Sequence, residues 1–236
     1  KIVKKYSISI LIFLEKTIIF LMNNKKTIFI TGANRGIGLA MVKESLKNNF
    51  FVIGSHRKKS NTKDLMSLDS DYLKTFELDV TNEEEIKKIK REINLKIDYL
   101  ICNAGINNGY GSFYSEDHTP KKMMDVFNVN VVGSILTVRN LIDLINDNGK
   151  IIFISSIMGV QNHEGSRATA YRASKAAVNN LMISISNDLK PKGITVTAFH
   201  PGWVRTDMGG PNASLTAEES AKNLINNFLK LTIKDT

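Results

Sequence analysis

Residues Thr27-Ile28-Phe29-Ile30-Thr31 run without a break into Gly32-Ala33-Asn34-Arg35-Gly36-Ile37-Gly38. The first five are β-branched or aromatic, the composition of a buried strand. The three glycines let the backbone turn sharply and approach a bound group closely, and the sequence that follows is helical in period. A strand that turns on glycines into a helix offers unpaired N–H groups and the positive end of a helix dipole. That construction predicts a pyrophosphate site for a dinucleotide, here spaced Gly-x-x-x-Gly-x-Gly rather than Gly-x-Gly-x-x-Gly.

Outward from this turn, apolar runs alternate with longer helical segments. The strand candidates are Thr27–Thr31, Phe50–Gly54, Tyr72–Leu78, Ile97–Cys102, Lys150–Ser155 and Ile194–His200. Helices are expected over about 36–48, 61–69, 82–94, 120–146, 168–190 and 216–230. The alternation implies βαβ units, hence an α/β fold with a single Rossmann-type doubly wound parallel sheet and helices on both faces. Thr81, ahead of an acidic first turn, is expected to cap the third helix, and Pro191 and Gly193 to end the fifth. No Pro-, Gly- or Ser-rich linker and no internal repeat divides the chain, so residues 25–236 read as one domain.

Bulk composition narrows the class. The 236 residues are 42% hydrophobic and 23% charged, as in ordinary globular proteins, which argues against a disordered or fibrous chain. The single cysteine, Cys102, has no partner for an internal disulfide, and no Cys/His cluster stands at metal-ligand spacing. A cytoplasmic protein without a metal is expected. The formal charge of +9 comes from lysines scattered among abundant Asn and Ile. Neither nucleic acid nor a membrane is therefore expected as a partner. Residues 1–24 read as an extension outside the fold. Lys1 to Lys5 and the apolar Ile8 to Leu14 lack a following cleavage site, Glu15 and Lys16 interrupt any membrane span, and Met22 offers a natural start just before the first strand.

Taken in order, several segments resemble the short-chain dehydrogenase/reductase family. They are Thr31-Gly32-Ala33-Asn34-Arg35-Gly36-Ile37-Gly38, then Asp79-Val80 and Asn103-Ala104-Gly105, and finally Tyr171-Arg172-Ala173-Ser174-Lys175 and Pro201-Gly202-Trp203-Val204-Arg205-Thr206. The likeness extends over about residues 25–234 and is greatest to the C-factor and sniffer-type carbonyl reductase branch. It implies a carbonyl reductase acting on a small-molecule carbonyl or alcohol with NADP(H). Family members commonly form homodimers or homotetramers. By this resemblance, Gly32, Asn34, Arg35, Gly36, Ile37 and Gly38 hold the pyrophosphate side and Asp79 and Val80 meet the adenine. Asn103, Ala104 and Gly105 match its cofactor-binding Asn-Ala-Gly motif, and Pro201, Gly202, Val204 and Thr206 match its nicotinamide-side segment, Thr206 at the carboxamide. Cys102 stands where the family usually has Asn, and reads as an inert core residue.

Tyr171 and Lys175 are four apart in a helical segment, so they share a face and an ammonium lies near a phenol. A phenol with pKa near 10 is a poor acid or base at neutral pH, and a neighbouring cation that favours phenolate improves it. Ile151 to Ile154 lead into Ser155 and Ser156 at a strand's carboxyl end, where ligands of open α/β sheets sit. The resemblance assigns Ser156 to the substrate carbonyl, Tyr171 to proton transfer, Lys175 to the ribose and the phenol, and Asn130 to a water in the proton relay. Ser156 lies 15 residues before Tyr171, slightly farther than usual, which keeps Ser155 as its alternative. Asn128 competes with Asn130.

NAD enzymes commonly carry a carboxylate roughly 20 residues past the glycine turn. Gly54-Ser55-His56-Arg57 contains none. Arg57 and Arg35 are placed to meet a 2′-phosphate, unless both are ordinary solvated charges. His163 reads as a loop histidine, His200 and Trp203 as packing near the cofactor, and Met158, Met208 and Trp203 as candidate apolar lining. Relatives usually add a seventh strand after the last helix, whereas this sequence stops at Thr236, so an exposed sixth-strand edge is expected.

Overall fold

The computed structural model describes residues 25–236; the expected extension at residues 1–24 lies outside the described residues. β1 (Thr27–Ile30) lies between β2 (Phe51–His56) and β4 (Ile97–Cys102), with β3 (Leu73–Glu77) beyond β2. β5 (Ile145–Ile154) and β6 (Thr195–Phe199) complete the order β3-β2-β1-β4-β5-β6, every neighbouring pair parallel. The chain winds from β1 toward β3 and then returns to β4 on the other side. The two windings diverge there and leave a crevice at the strands' carboxyl ends.

All four β1 residues are buried because helices cover both faces of the sheet. Ile28 and Ile30 pack with Met41 and Val42 of α1 (Gly36–Lys47), Leu65 of α2 (Lys63–Met66) and Leu224, Ile225 and Phe228 of α7 (Ala217–Lys230). Phe29 points to the opposite face. There it joins Ile86 and Ile89 of α3 (Glu83–Glu92), Val138 and Leu141 of α5 (Gly133–Leu141), and Val178 of α6 (Thr169–Leu189). The period-2 alternation within each strand thus sorts side chains into two cores, as the doubly wound reading requires.

The segment expected as one helix over 120–146 is built from several pieces. α4 (Pro120–Phe127) passes into a π-helical turn at Asn128–Val132, then α5, then a 3-10 turn at Ile142–Leu144. β5 begins at Ile145, earlier than the expected Lys150, because Ile145 pairs with Ile97 before the register shifts to Tyr99 opposite Lys150. The intervening polar residues bulge outward with Asn148 at φ +59°, a left-handed turn that Asn tolerates and that periodicity does not reveal. α2 is shorter than the expected 61–69, and it buries only Leu65. The cap of α3 is Asn82, whose side chain accepts from the N–H groups of Glu84 and Glu85. Thr81 instead donates its hydroxyl to Asp79 Oδ1 at 2.7 Å. α6 ends as expected, in a 3-10 turn at Lys190–Lys192 followed by Gly193 at φ +71°. Among the described residues β6 is the last strand of the sheet, and its Val196 N–H donates to Thr236 Oγ1 at 3.4 Å. No described helix is long and apolar enough to cross a membrane.

Candidate active site

The turn after β1 is built as its glycines suggest. Gly32 and Gly36 have φ of +66° and +54°, and a Cβ on Gly38 would stand 2.1 Å from the carbonyl oxygen of Gly32. Arg35 occupies the N-cap of α1 but contributes no side-chain cap, so no side chain of the protein competes for the helix's first N–H groups. Thr31 ties the turn to β4: its hydroxyl donates to the carbonyl of Ile101 and accepts from the N–H groups of Asn103 and Ala104, each at 3.0 Å. The Asn103 amide closes the joint from the other side, donating to the carbonyls of Thr31 (2.8 Å) and Gly32 (3.1 Å).

A cleft of about 630 Å³ runs along the carboxyl ends of the strands. Gly32 and Asn34 to Gly38 form its floor, and Asp79 and Val80 line the wall beyond β3. Arg57 borders the end near β2, where Asn34 bonds the Asn61 carbonyl and so draws the 57–61 loop toward the turn, while the Arg35 guanidinium pairs with Asp207, next to Thr206. Asn103, Ala104, Gly105, Tyr171, Lys175, Pro201 and Thr206 border the other end. Four expected residues do not line the cleft. Val204 is buried and bridged to Leu215, Gly202 packs so closely that a Cβ would meet the Leu215 side chain at 2.5 Å, and Asn130 and Ser156 are both buried, whereas the alternative Ser155 lines the cleft.

Tyr171 and Lys175 occupy one face of α6, with the Lys175 ammonium 5.5 Å from the centre of the phenol ring. Burial pulls the Lys175 pKa down to about 8. Its Nζ donates to the carbonyl of Ile154 at 2.7 Å, which fixes its position at the end of β5. Burial pushes the Tyr171 phenol above the usual tyrosine range, and a hydrogen bond with Ser156 opposes that rise. Ser156 also caps the short turn Ile157–Gly159 by accepting from the Met158 N–H at 3.1 Å. The Ser155 hydroxyl turns the other way and donates to Asn179 Oδ1 at 2.6 Å. Of the two serines, Ser156 acts on the phenol and Ser155 lines the cleft.

Asn130 sits at the centre of the π-helical turn and is 1% exposed. Its Oδ1 accepts from the Ile106 N–H (2.8 Å), while its Nδ2 donates to the Ile106 carbonyl (3.0 Å) and to Ser174 Oγ (2.9 Å). Ser174 in turn donates to the Tyr171 carbonyl at 2.7 Å. The amide therefore joins the loop after β4 to the turn of α6 that carries Tyr171. The π turn aims Asn130 inward, whereas Asn128 is left outside these bonds.

Sequence reasoning missed the Thr31 hub, the Ser174 relay and the grip of Asn179 on Ser155. All three are small polar residues whose roles appear only when distant segments meet. Tyr110 was also missed: it follows β4, and burial raises its pKa against the influence of Arg35. Cys102 is buried with its thiol pushed up to about 12, in keeping with an inert core residue. Met208 borders the cleft, but Trp203 is half exposed and donates its indole N–H to the carbonyl of Gly209. His163 lies against Arg172, whose guanidinium bonds its carbonyl and ring.

The strand order, the glycine turn at the switch point and the Tyr–Lys pair beside the cleft define an oxidoreductase of the Rossmann-type α/β class. Residues 26–216 match the family model for short chain dehydrogenases, and the chain belongs to that family. It is 34% identical to an oxidoreductase of Saccharomyces cerevisiae over 90% of this chain and 93% of that protein. It is 35% identical to C-signal of Myxococcus xanthus over 55% of this chain and 78% of that protein. Among solved structures, the carbonyl reductase Sniffer of D. melanogaster superposes with a TM-score of 0.83 at 28% identity, covering 89% of this chain and 94% of that one. A short-chain dehydrogenase/reductase from Burkholderia multivorans, solved with bound NADP, superposes with a TM-score of 0.82 at 31% identity, covering 87% and 91%. The carbonyl reductase and C-factor-like branch suggested by the motifs is thus represented among its relatives.

Proposed function

We propose that this protein is an NADP(H)-dependent carbonyl reductase in which Tyr171 transfers the proton. The observation that carries the reading is the placing of Tyr171 and Lys175 side by side at one end of a cleft whose floor is an uncapped helix N-terminus on glycines. The bound NADP of the Burkholderia relative supports the cofactor. The residues fit it: an uncapped helix N-terminus forms the cleft floor, the missing Cβ of Gly38 lets the turn close on the Gly32 carbonyl, and Arg57 stands at the β2 end.

When bound, NADPH supplies the hydride for the carbonyl carbon. The N–H groups of the Gly36 turn hold the pyrophosphate, Asp79 and Val80 bound the adenine, and Arg57 with Arg35 meets the 2′-phosphate. Ser156 holds the substrate carbonyl oxygen next to the phenol. Tyr171 delivers its proton to that oxygen, and the positive charge of Lys175 stabilises the phenolate left behind. Asn130 holds the loop after β4 and the start of α6 in register for this transfer. The protein's part is position and electrostatics; the hydride chemistry belongs to the cofactor.

The test is NADPH oxidation followed against a panel of aldehydes, ketones and quinones. Turnover of at least one class is expected. Tight NADPH binding without turnover across the panel would replace the enzyme with a dinucleotide-binding sensor.

A further inference from the structure

Arg35 in the glycine turn and Asp207 after β6 are 172 residues apart and form an ion pair across the cleft, which both of them line. The backbone supports the contact. Thr206 Cγ2 stands 3.2 Å from where a Cβ on Gly36 would be, so the segment carrying Asp207 crosses directly over the turn. Asp207 is the one acidic residue in ion-pair contact with Arg35 among the described residues, and Arg57 makes no ion pair there. The two arginines assigned to the 2′-phosphate are therefore unequal: one is neutralised by a carboxylate and the other is not.

We propose that Asp207 is a specificity-determining residue that restrains the preference for NADPH by engaging the Arg35 guanidinium. The inference rests on the assignment of Arg35 to the 2′-phosphate made above. A 2′-phosphate at the β2 end must draw the guanidinium off Asp207 and leave that carboxylate's negative charge unpaired in the cleft. NADH, which lacks the phosphate, meets neither cost. The side chains of Arg35 and Asp207 are 59% and 78% exposed, so water screens the pair and its influence is modest. The strength of such exposed pairs corresponds to about a 3-fold change in affinity.

The experiment measures dissociation constants for NADPH and NADH, and for 2′,5′-ADP and 5′-AMP, in the wild type, Asp207→Asn, Arg35→Ala and the double variant. The two adenine fragments lack the nicotinamide, so they isolate the phosphate effect from any movement of the segment beside the nicotinamide. Asp207→Asn is expected to raise the preference for the 2′-phosphorylated member of each pair about 3-fold. On the Arg35→Ala background the same change is expected to do nothing. An unchanged preference in Asp207→Asn overturns the proposal, as does an equal gain with Arg35 absent, which would mean direct repulsion. If Arg35→Ala lowers the NADPH preference while Asp207→Asn leaves it alone, only the role of Asp207 falls. If the wild type does not discriminate and Arg35→Ala changes nothing, the assignment of Arg35 falls with it.

Discussion

Lys175 extends from the turn of α6 next to that of Tyr171, so that its ammonium lies 5.5 Å from the centre of the phenol ring while donating 2.7 Å to the carbonyl oxygen of Ile154. The cation is anchored by the end of β5, and a second strand-end residue, Ser156, addresses the phenol. Helix and strand thereby set the distance between phenol and charge without a flexible element between them. The proposed chemistry depends on that fixed relation.

Removing only the phenolic hydroxyl leaves the cleft's shape unchanged. Tyr171→Phe is expected to reduce carbonyl turnover about 10²–10⁴-fold, the contribution of a positioned general acid, with NADPH affinity nearly unaltered. Lys175→Ala should lower both. Steady-state kinetics alongside NADPH titration check this; a Tyr171→Phe enzyme that keeps most of its turnover refutes the assignment.

The buried ammonium also makes a pH-dependent contribution to stability. With Lys175 titrating at about 8 in the folded protein and about 10.4 when unfolded, the folded state binds fewer protons between those values. Stability from this group therefore rises with pH through that window, and below pH 8 the full cost of burying the charge is present. Lys175→Met is expected to melt higher than the unliganded wild type at pH 7, with the gap narrowing by pH 9.5. Thermal unfolding at both pH values measures it, and a gap that does not narrow contradicts the argument.

Asn130 provides a stability test separate from catalysis. Asn130→Leu preserves bulk but leaves the Ile106 N–H and carbonyl without their partner in a buried site. A loss of about 2–3 kcal/mol is expected, read from urea denaturation midpoints. A loss below about 1 kcal/mol, the scale of one ordinary hydrogen bond, would show that the loop finds other partners.

At the β2 end of the cleft, replacing His56 by Asp and Arg57 by Ile substitutes a carboxylate for the phosphate-facing charge. The loss of the phosphate contact should cost NADPH on the order of 1.5–3 kcal/mol, and the new Asp should favour NADH. Catalytic efficiencies with the two cofactors report the exchange. Equal use of both cofactors by the unaltered protein would remove the basis for assigning Arg57 to the phosphate.

The parts of this protein legible in the sequence are those written in short-range pattern. Thr27 to Gly38 encode strand, turn and helix start within a dozen residues, because burial, φ > 0 and an open helix end each demand particular residue types locally. The spacing of Tyr171 and Lys175 likewise fixes their common face through helix geometry alone.

Other features required the chain to meet itself. Nothing local distinguishes the helix that contains Asn130 from one with an inserted π turn; the turn becomes recognisable once Ile106 and Ser174 take the Asn130 amide. The early start of β5 rests on Ile97 offering Ile145 a partner, which outweighs the helical periodicity running up to it. Ser155 and Ser156 are indistinguishable by type, and only the fold tells them apart: Asn179 of α6 takes the first hydroxyl. The contact of Arg35 with Asp207 joins two exposed charges from opposite ends of the chain. Sequence by itself determined the fold class and the chemistry-bearing residue types, since those follow from neighbours along the chain. Tertiary structure alone decided which polar groups face one another, since hydrogen bonds and ion pairs act over a few ångströms of space irrespective of sequence separation.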